Sequence, residues 1–295
     1  MEKIDLVYIL GTGSRWGDNE IRYSLRSVEK YFPKAGRVFI IGECPDWETN
    51  ITHIKMEDKE QNKLLNARAK YFMAATNPQI GKEFVLMNDD FFFLKTVSKI
   101  PNFSRGKLQN MMDKHPTKGG YYYHSLADTK KRLDAMGIPD ALDFEIHAPM
   151  IFNRSKLETV INMIGSDRAF SIRSCYGNLM GLKPEKIVDF KAANIAEFAY
   201  QRLRNERILS INDALVCNDD FRAWMRQKYP KMSKYETSEE GILDLPGRSI
   251  GKKRGTVVKR FEYKGRFYNT GDIIPPEIWK ELKENASMRG SWKLD

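Results

Sequence analysis

Cysteine and histidine are scarce: the 295 residues include three cysteines and four histidines. Cys44, Cys175 and Cys217 are far apart, odd in number and form no CxxC pair. This spacing matches neither a disulfide framework nor a cysteine-based zinc site. We therefore expect three buried, reduced thiols.

The sequence also lacks a long apolar run. The apolar segment near the N-terminus is only about seven residues long and contains Asp5, which is too short for a signal-peptide core or a membrane span. No other segment approaches the ~18 uninterrupted apolar residues that a spanning helix requires. The sequence thus predicts a cytoplasmic protein with no membrane span.

Internal repeats and low-complexity tracts are absent as well, and the composition is that of a globular protein. Apolar residues make up 41% and aromatic residues 12% of the chain, which excludes disordered and fibrous classes. The net charge of +10 favours an anionic partner, such as a nucleotide diphosphate, a nucleic acid, an anionic glycan or a membrane surface. A solvated basic face explains the same charge equally well.

The first third of the chain alternates between apolar strands and helices. Continuous apolar runs predict buried strands of a parallel sheet, and apolar residues at helical spacing predict the helices between them. The predicted strands are 4–10, 37–42, 53–56 and 83–87, and the predicted helices are 19–31 and 62–75. The pattern predicts βαβ units and a Rossmann-like α/β fold.

The remainder of the chain is less regular. It predicts a strand at 119–124, helices at 130–136, 152–164 and 194–203, and a linker at 241–255. We place a large domain at 1–240 and a small, basic, β-rich appendage at 256–295. The appendage is expected to contain a hairpin and a helix from Pro276 to Glu284.

The sharpest chemical signal is Asn88-Asp89-Asp90, which follows an apolar strand and precedes an aromatic run. Ligands of open α/β sheets bind at the carboxyl ends of strands. Neighbouring carboxylates there can hold Mn²⁺ or Mg²⁺ against a diphosphate, so Asp89 and Asp90 are the predicted metal ligands. The alternative is a solvated turn in which one Asp caps the next element.

The loop after the first strand contains Gly11, Thr12 and Gly13, followed by Arg15 and Trp16. It lacks the third glycine of the dinucleotide fingerprint, so a dinucleotide site is not expected. The loop can instead admit a nucleotide base or ribose, with Trp16 as a stacking surface. A simple tight turn is the alternative.

The segment from Asp143 to Pro149 contains two carboxylates and a histidine in short alternation with apolar residues. This alternation predicts a strand with Asp143, Glu145 and His147 on one face. His147 is then a candidate general acid or base that Glu145 could orient. A structural role for His147 stays open. Arg173 and Arg154 are possible phosphate clamps, although surface arginines are more common.

Together these segments resemble the Stealth family of sugar-1-phosphate transferases, which are related to glycosyltransferases of the GT-A fold. The matching blocks occur in family order. They are Ile4 to Tyr8; Glu20 to Tyr31 with Pro33; Val38 to Ile41; Pro45-Asp46-Trp47; Phe84 to Phe92; His147-Ala148-Pro149 with Asn153-Arg154; Ile211-Asn212-Asp213; and Tyr229 to Ser233 with Glu236.

The resemblance implies roles for the matching residues. It implies that Asn88, Asp89 and Asp90 hold the metal and the donor diphosphate, and that His147 is catalytic. It further implies that Arg173 meets a phosphate and that Asn212 and Asp213 complete the donor site. The chain departs from the family after Tyr8, where Ile9-Leu10-Gly11-Thr12-Gly13 replaces the usual Trp-Val-Asp and its long insertion.

These observations predict a GT-A-like mixed sheet flanked by helices and a metal-dependent transferase with a nucleotide-sugar donor. The enzyme would move a glycosyl group or a sugar 1-phosphate to a hydroxyl of a glycan or other polymer. One alternative is glycosyl transfer to modified DNA bases through the basic residues 252–264. Another is a non-catalytic nucleotide-binding module with a basic partner-binding tail.

Overall fold

The computed structural model describes residues 2–115, 119–166, 168–203 and 205–238, together with five short strands between residues 255 and 294. The first elements are β1 (Ile4–Leu10), α1 (Asn19–Tyr31), β2 (Ala35–Gly42), β3 (Ile51–Lys55), α2 (Lys63–Thr76), β4 (Glu83–Met87), β5 (Phe91–Phe93), β6 (Phe103–Ser104) and α3 (Leu108–Lys114). They are followed by α4 (Tyr121–Ala135), β7 (Met150–Asn153), α5 (Arg154–Ile164), α6 (Ile172–Leu179), β8 (Glu185–Lys186), β9 (Lys191–Ala192), α7 (Ile195–Leu203), β10 (Ile208–Ile211), α8 (Asp213–Val216) and α9 (Asp219–Lys228).

The main sheet has the strand order β3-β2-β1-β4-β7. The first four of these strands are parallel, and β7 runs antiparallel to β4. The predicted mixed α/β sheet of Rossmann-like character is therefore confirmed. Because the parallel strands end at the same edge, the loops after β1, β2 and β4 converge there.

Helices cover both faces of this sheet, which explains why its central strands are apolar beyond their first residues, where Asp5, Arg37 and Glu83 lie. Leu6 and Tyr8 on β1 pack in one core with Leu25 of α1. Val7, between them, points to the other face and packs in a second core with Ala74 of α2 and Leu157 of α5.

A second sheet with the order β5-β10-β9 begins directly after the acidic turn. α1 attaches β5 to the main sheet through two serines. Ser24 Oγ donates to the carbonyl of Phe91 at 2.6 Å, and Ser27 Oγ accepts from the amide of Phe93 at 3.0 Å. The acidic turn is thus held between two sheets by hydrogen bonds at buried atoms.

Two sequence predictions in the middle of the chain are wrong. Residues 119–124 form no strand, because the segment from Tyr121 onward lies in α4. Leu126 and Leu133 of this helix are fully buried, whereas Tyr121 is 62% exposed. Helical burial of the leucines therefore outweighs the strand preference of the tyrosines.

The segment 143–149 is also not a strand. Its backbone is irregular up to Met150, where β7 begins. Side chains rather than strand partners hold it: Asp143 Oδ1 accepts from the amide of Glu145 at 3.0 Å, and Ser174 Oγ accepts from the amide of Phe144 at 3.0 Å. The prediction for the cysteines is only partly correct, because Cys175 is buried but Cys217 is exposed.

The chain divides into two compact units, Met1–Ile242 and Leu243–Asp295. The described strands of the second unit are β11 (Gly255–Val257), β12 (Phe261–Tyr263), β13 (Arg266–Tyr268), β14 (Ile273–Ile274) and β15 (Trp292–Leu294). β12 and β13 pair antiparallel, as a hairpin requires, and β11 pairs with β14 and β15. The predicted helix from Pro276 to Glu284 lies outside the described residues. Across the described part of the chain, the helices are all too short or too polar to cross a membrane.

Candidate active site

The acidic turn lies at the carboxyl end of β4 and leads directly into β5. The amide of Phe91 donates to the carbonyl of Asn88 at 3.3 Å, and the amide of Asp90 donates to Asp89 Oδ1 at 3.1 Å. The side chains of Asn88, Asp89 and Asp90 are all half-buried. This arrangement differs from a freely solvated turn, which was the alternative interpretation of the motif.

Asp90 is partly neutralised by residues of the second sheet. Ser210 Oγ donates to its Oδ2 at 2.7 Å, and Lys191 Nζ lies 3.8 Å from the same oxygen. Burial raises the pKa of the Asp90 carboxyl, although the positive charge of Lys191 and the hydrogen bond from Ser210 oppose this increase.

The negative charge of Asp89 has fewer stabilising contacts than that of Asp90. Burial, the neighbouring charge of Asp90 and the charge of Glu20 raise the pKa of Asp89 to about 7. Burial also raises the pKa of Glu20, whose carboxylate accepts a hydrogen bond from Ser14 Oγ at 2.7 Å. The site thus concentrates negative charge that a bound cation would stabilise.

The donor set fits a cation only if a substrate shares it. Among the described residues, no three His, Cys, Asp or Glu side chains come close enough to form a metal site. Asp89 and Asp90 can supply two carboxylates, and Mg²⁺ in phosphate-transfer sites commonly combines one or two carboxylates with substrate phosphates and water. The chemistry of the turn therefore fits a divalent cation bound together with a diphosphate.

His147 forms a dyad with Asp189, a residue that the sequence did not single out. Asp189 Oδ2 lies 2.7 Å from His147 Nδ1, and Asp189 Oδ1 accepts from the His147 amide at 3.0 Å. Arg105 Nη1 approaches Asp189 at 3.4 Å. Although burial alone would raise the pKa of Asp189, its contacts with His147 and the charge of Arg105 lower the pKa overall.

Glu145 does not orient His147, so that part of the prediction is wrong. Its Oε1 instead accepts from the backbone amide of Arg173 at 3.1 Å. His147 is close enough to Asp90 for its positive form to lower the pKa of that carboxyl. The predicted base and one predicted metal ligand therefore lie in the same site.

Arg173 is buried, and its guanidinium donates hydrogen bonds to other groups of the protein. Its Nη1 donates to the carbonyls of Ile146 at 3.2 Å and Ala148 at 2.6 Å, and its Nε donates to Tyr71 Oη at 3.2 Å. These bonds fix the backbone on both sides of His147. Contact between Arg173 and a phosphate stays a prediction.

Arg154 is placed away from the acidic turn. Its amide donates to the carbonyl of Lys82 at 2.8 Å, and the preceding residue, Asn153, pairs with Glu83 at the amino end of β4. The acidic turn lies at the opposite end of that strand, so a phosphate-clamping role for Arg154 in this site is excluded.

The predicted donor loop lines a cavity of about 310 Å³ together with Glu43 and Cys44, which follow β2. Gly11, Thr12 and Gly13 all contribute to its wall. Ser14 Oγ organises the loop, because it accepts from the amides of Trp16 at 3.1 Å and Asp18 at 2.8 Å.

Trp16 is not available as a stacking surface for a base. It is only 4% exposed and stacks on Tyr23 with 5.1 Å between ring centroids. The sequence prediction for Trp16 is wrong, because the ring belongs to the hydrophobic core beneath the loop.

The structure brings Arg15 and Asp213 together. Arg15 Nε lies 3.2 Å from Asp213 Oδ2, and both side chains are exposed. Asn212 is used as a helix cap, since its Oδ1 accepts from the amide of Leu215 at 3.0 Å. Asp213 also contributes to the raised pKa of Glu20, which places it beside the acidic site.

Sequence reasoning missed Asp189, Lys191, Ser210 and Arg105. None of them belongs to a recognisable motif, and Asp189 is 42 residues from its partner His147 in the chain. The alternation of charged and apolar residues in Asp189-Phe190-Lys191 is too short to predict a strand, and Asp189 lies before β9.

Over about a third of its length the chain is similar to two proteins whose names describe sugar-phosphate transfer. It matches no family model. Over 113 residues it is 31% identical to the N-acetylglucosamine-1-phosphotransferase subunits alpha/beta of Mus musculus and 30% identical to those of Homo sapiens. Each alignment covers 34% of this chain and 9% of the relative. The similarity supports a distant relationship to these proteins and does not by itself establish membership of the Stealth family.

Proposed function

We propose that this chain transfers a sugar 1-phosphate from a nucleoside-diphosphate sugar to an acceptor hydroxyl. The observation that carries the proposal is the His147–Asp189 dyad beside the half-buried acidic pair Asp89 and Asp90. The distant relatives, which are named for transfer of N-acetylglucosamine 1-phosphate, favour this group over a plain glycosyl residue.

His147 is the proposed general base. With Nδ1 bonded to the ionised Asp189, Nε2 is the nitrogen that can accept a proton from the acceptor hydroxyl. The double contact of Asp189 with the amide and ring of His147 limits rotation of the imidazole. Arg173 holds the adjacent carbonyls, so the base is pre-positioned before the substrate binds.

Asp89 and Asp90 are the proposed ligands of Mn²⁺ or Mg²⁺, which when bound would neutralise the diphosphate charge. Lys191 and Ser210 keep Asp90 oriented from the side of the second sheet. The cavity beside Gly11, Thr12 and Gly13 is the proposed place for the nucleoside, since it lies at the same edge of the sheet.

The proposed reaction forms one bond and breaks one. The acceptor oxygen attacks the β-phosphorus of the donor while His147 takes its proton. The bond from the β-phosphorus to the bridging oxygen breaks, and a nucleoside monophosphate leaves with the electron pair. Attack at the anomeric carbon would instead transfer a glycosyl group and release a nucleoside diphosphate.

The released nucleotide therefore tests the proposal directly. Purified protein would first be screened for thermal stabilisation by UDP-, GDP-, CMP- and ADP-sugars with and without Mn²⁺, because a ligand of the folded state raises the melting temperature. The selected donor would then be incubated with methyl hexopyranosides as acceptor probes, and the nucleotide products separated by chromatography. We expect the monophosphate; release of the diphosphate would replace the proposal with glycosyl transfer.

Asp90→Asn supplies the matching loss-of-function variant. It should abolish the Mn²⁺-dependent stabilisation and the turnover, whereas the exposed Asp220→Asn should leave both unchanged. If no donor stabilises the wild-type protein at millimolar concentration, the transferase proposal fails and a non-catalytic binding role becomes the better explanation.

A further inference from the structure

A separate cavity of about 170 Å³ lies next to the acidic turn. It lies among β1, α2, α4 and the N-terminal part of α6, and its wall includes Ile9, Tyr71, Asn88, Tyr122, Glu145 and Ser171. Asn88 directly precedes Asp89 in the chain, so the cavity adjoins the proposed diphosphate site.

Two polar side chains in this wall have no role in the proposed chemistry. The side-chain amide of Asn88 makes no hydrogen bond with any residue that the structure describes, although the group is half-buried. Glu145 uses Oε1 to accept from the Arg173 amide, while its carboxylate also lines the cavity. Burial raises the pKa of Glu145, and Arg173 opposes that increase.

The two arginines in the cavity wall direct their observed hydrogen bonds at the protein. The guanidinium of Arg173 is engaged by two backbone carbonyls and by Tyr71 Oη. Arg68, also in the wall, donates through Nη2 to the carbonyl of Gly165 at 2.9 Å. The carboxylate of Glu145 would repel an anion, but it is a strong acceptor for hydroxyl and amide hydrogens.

Apart from Tyr122, Ser125 and Ser171, the remaining wall is largely apolar. Ile9 and Phe170 line the cavity together with the ring of Tyr71. A pyranose ring has apolar C–H faces and a rim of hydroxyl groups, so it matches a small cavity with apolar walls and a few polar side chains.

We propose that this cavity is a subsite for a pyranose ring, in which Glu145 and Asn88 hydrogen-bond to the hydroxyl or acetamido substituents of the sugar. The inference rests on the proposed function and deepens it. The ring can belong to the donor, because a sugar attached to a diphosphate at Asp89 and Asp90 reaches the neighbouring cavity. The same chemistry would also accommodate the terminal sugar of an acceptor.

The experiment separates the contribution of the sugar from that of the nucleotide. Affinities for UDP and UDP-N-acetylglucosamine, or for the equivalent pair selected by the donor screen, would be measured by calorimetry in the presence of Mn²⁺. We expect Glu145→Gln and Asn88→Ala to weaken binding of the nucleotide sugar about tenfold, the usual effect of losing one hydrogen bond to a charged or buried group. In Glu145→Gln, binding of the free nucleoside diphosphate should not change. Glu185→Gln, at an exposed position, is the control.

The same variants also test whether the cavity binds the sugar of the acceptor. If donor affinity is unchanged but the KM for a methyl hexopyranoside rises about tenfold with kcat maintained, the subsite binds the acceptor sugar. If neither the donor affinity nor the acceptor KM changes in correctly folded variants, the subsite proposal is overturned while the proposed transferase function stands.

A failure of the proposed function gives a different result. If the wild-type protein binds no nucleotide sugar, saturation-transfer NMR with methyl N-acetylglucosaminide tests the cavity alone. A signal that is lost in both Glu145→Gln and Asn88→Ala supports the subsite, and no signal with the wild-type protein overturns it. Circular dichroism and the melting temperature of each variant would show that folding is retained.

Discussion

The buried charge of Asp89 is expected to make the protein less stable as pH rises. Its pKa is raised from 3.8 to about 7, so the folded chain holds this proton more tightly than the unfolded chain. The free energy of unfolding therefore falls between about pH 4 and pH 7, where the unfolded chain releases this proton and the folded chain keeps it. We expect Asp89→Asn to remove this loss and to be more stable than the wild type at pH 8, by about 1–3 kcal/mol.

Thermal unfolding at pH 5 and pH 8 without divalent cations measures this effect. The advantage of Asp89→Asn should be largest at pH 8 and fall to roughly a third to a half of that value at pH 5, whereas the exposed Asp220→Asn should show no comparable change. Added Mn²⁺ and donor should stabilise only the wild-type protein. Equal or lower stability of Asp89→Asn at pH 8 would contradict the inference that the ionised Asp89 carboxylate destabilises the folded chain.

Arg105 is a positioning residue for the His147–Asp189 dyad. It contacts Asp143 at 2.7 Å and Asp189 at 3.4 Å, and it also donates to Tyr122. In Arg105→Gln, Asp189 loses the positive charge that helps to lower the pKa of its carboxyl, so that pKa rises and the carboxylate supports His147 less at acidic pH. We expect kcat/KM to fall more at acidic than at neutral pH, which moves the acidic limb of the pH–kcat/KM profile upward.

The conservative variant distinguishes this electrostatic role from a structural one. Arg105→Lys keeps the charge, so its acidic limb should lie close to that of the wild type even if activity falls. An unchanged acidic limb in Arg105→Gln would show that Arg105 acts only on packing.

At this scale the sequence predicted the residues that lie in compact motifs. Asp89, Asp90 and His147 were singled out because vicinal carboxylates and a rare histidine are visible in a single sequence, and their roles stay predictions. Asp189 was not, since its partner is 42 residues away and a single Asp before a short strand has no local signature. Glu145 was given a role that required a strand, and the irregular backbone of 143–149 removed that geometry.

At the scale of elements, α6 packs tightly against the segment 143–149, which contains His147. A Cβ added at Gly177 of α6 would lie 2.5 Å from the ring of Phe144. The alanine would favour the helix intrinsically by roughly 0.5–1 kcal/mol, but overpacking a core typically costs about 1–3 kcal/mol. We expect Gly177→Ala to be destabilised overall and to lose turnover, because movement of Phe144 displaces the nearby His147.

Gly119→Ala is the matched control, since no atom lies within 4 Å of its added Cβ. Chemical denaturation would give the change in the free energy of unfolding, and kcat/KM would report the position of the base. A stable and fully active Gly177→Ala would show that the segment 143–149 tolerates displacement and does not fix His147.

The elements that the sequence predicted are those with one dominant pattern. β1 and α1 were predicted with the bounds that the structure has, because continuous apolar burial and a helical stripe leave no ambiguity. α4 was missed at its start, where three consecutive tyrosines favour a strand while the deciding contacts of Leu126 and Leu133 come from distant parts of the chain.

At the scale of the whole molecule, the basic charge is concentrated away from the acidic turn in sequence. Residues 243–295 contain twelve Lys and Arg against seven Asp and Glu, so they contribute half of the net charge of +10. The proposed donor site instead contains Asp89, Asp90 and Glu20. Half of the positive excess therefore lies in a segment that contains none of the proposed site residues.

A buried ion cluster links the end of the first unit to α1. Glu236 accepts from Arg22 at 3.0 Å and from Arg26 at 2.8 and 2.7 Å. The amide of Thr237 donates to the carbonyl of Trp47 at 2.8 Å, and the Arg22 guanidinium lies 4.0 Å from the Trp47 ring. The sequence blocks around residues 20–31 and 233–236 thus occur together because they form one structural cluster.

This cluster predicts where the chain can be shortened. A protein of residues 1–242 keeps Glu236 and all the cores of the first unit, so we expect it to fold and to retain donor binding. A protein of residues 1–232 leaves Arg22 and Arg26 buried without this carboxylate, and loss of one partner from a buried ion pair costs about 3–5 kcal/mol. Denaturant unfolding and the donor-induced thermal shift should separate the two proteins clearly. Similar stability of the two would mean that the cluster contributes little, and failure of 1–242 to fold would mean that the first unit depends on the second.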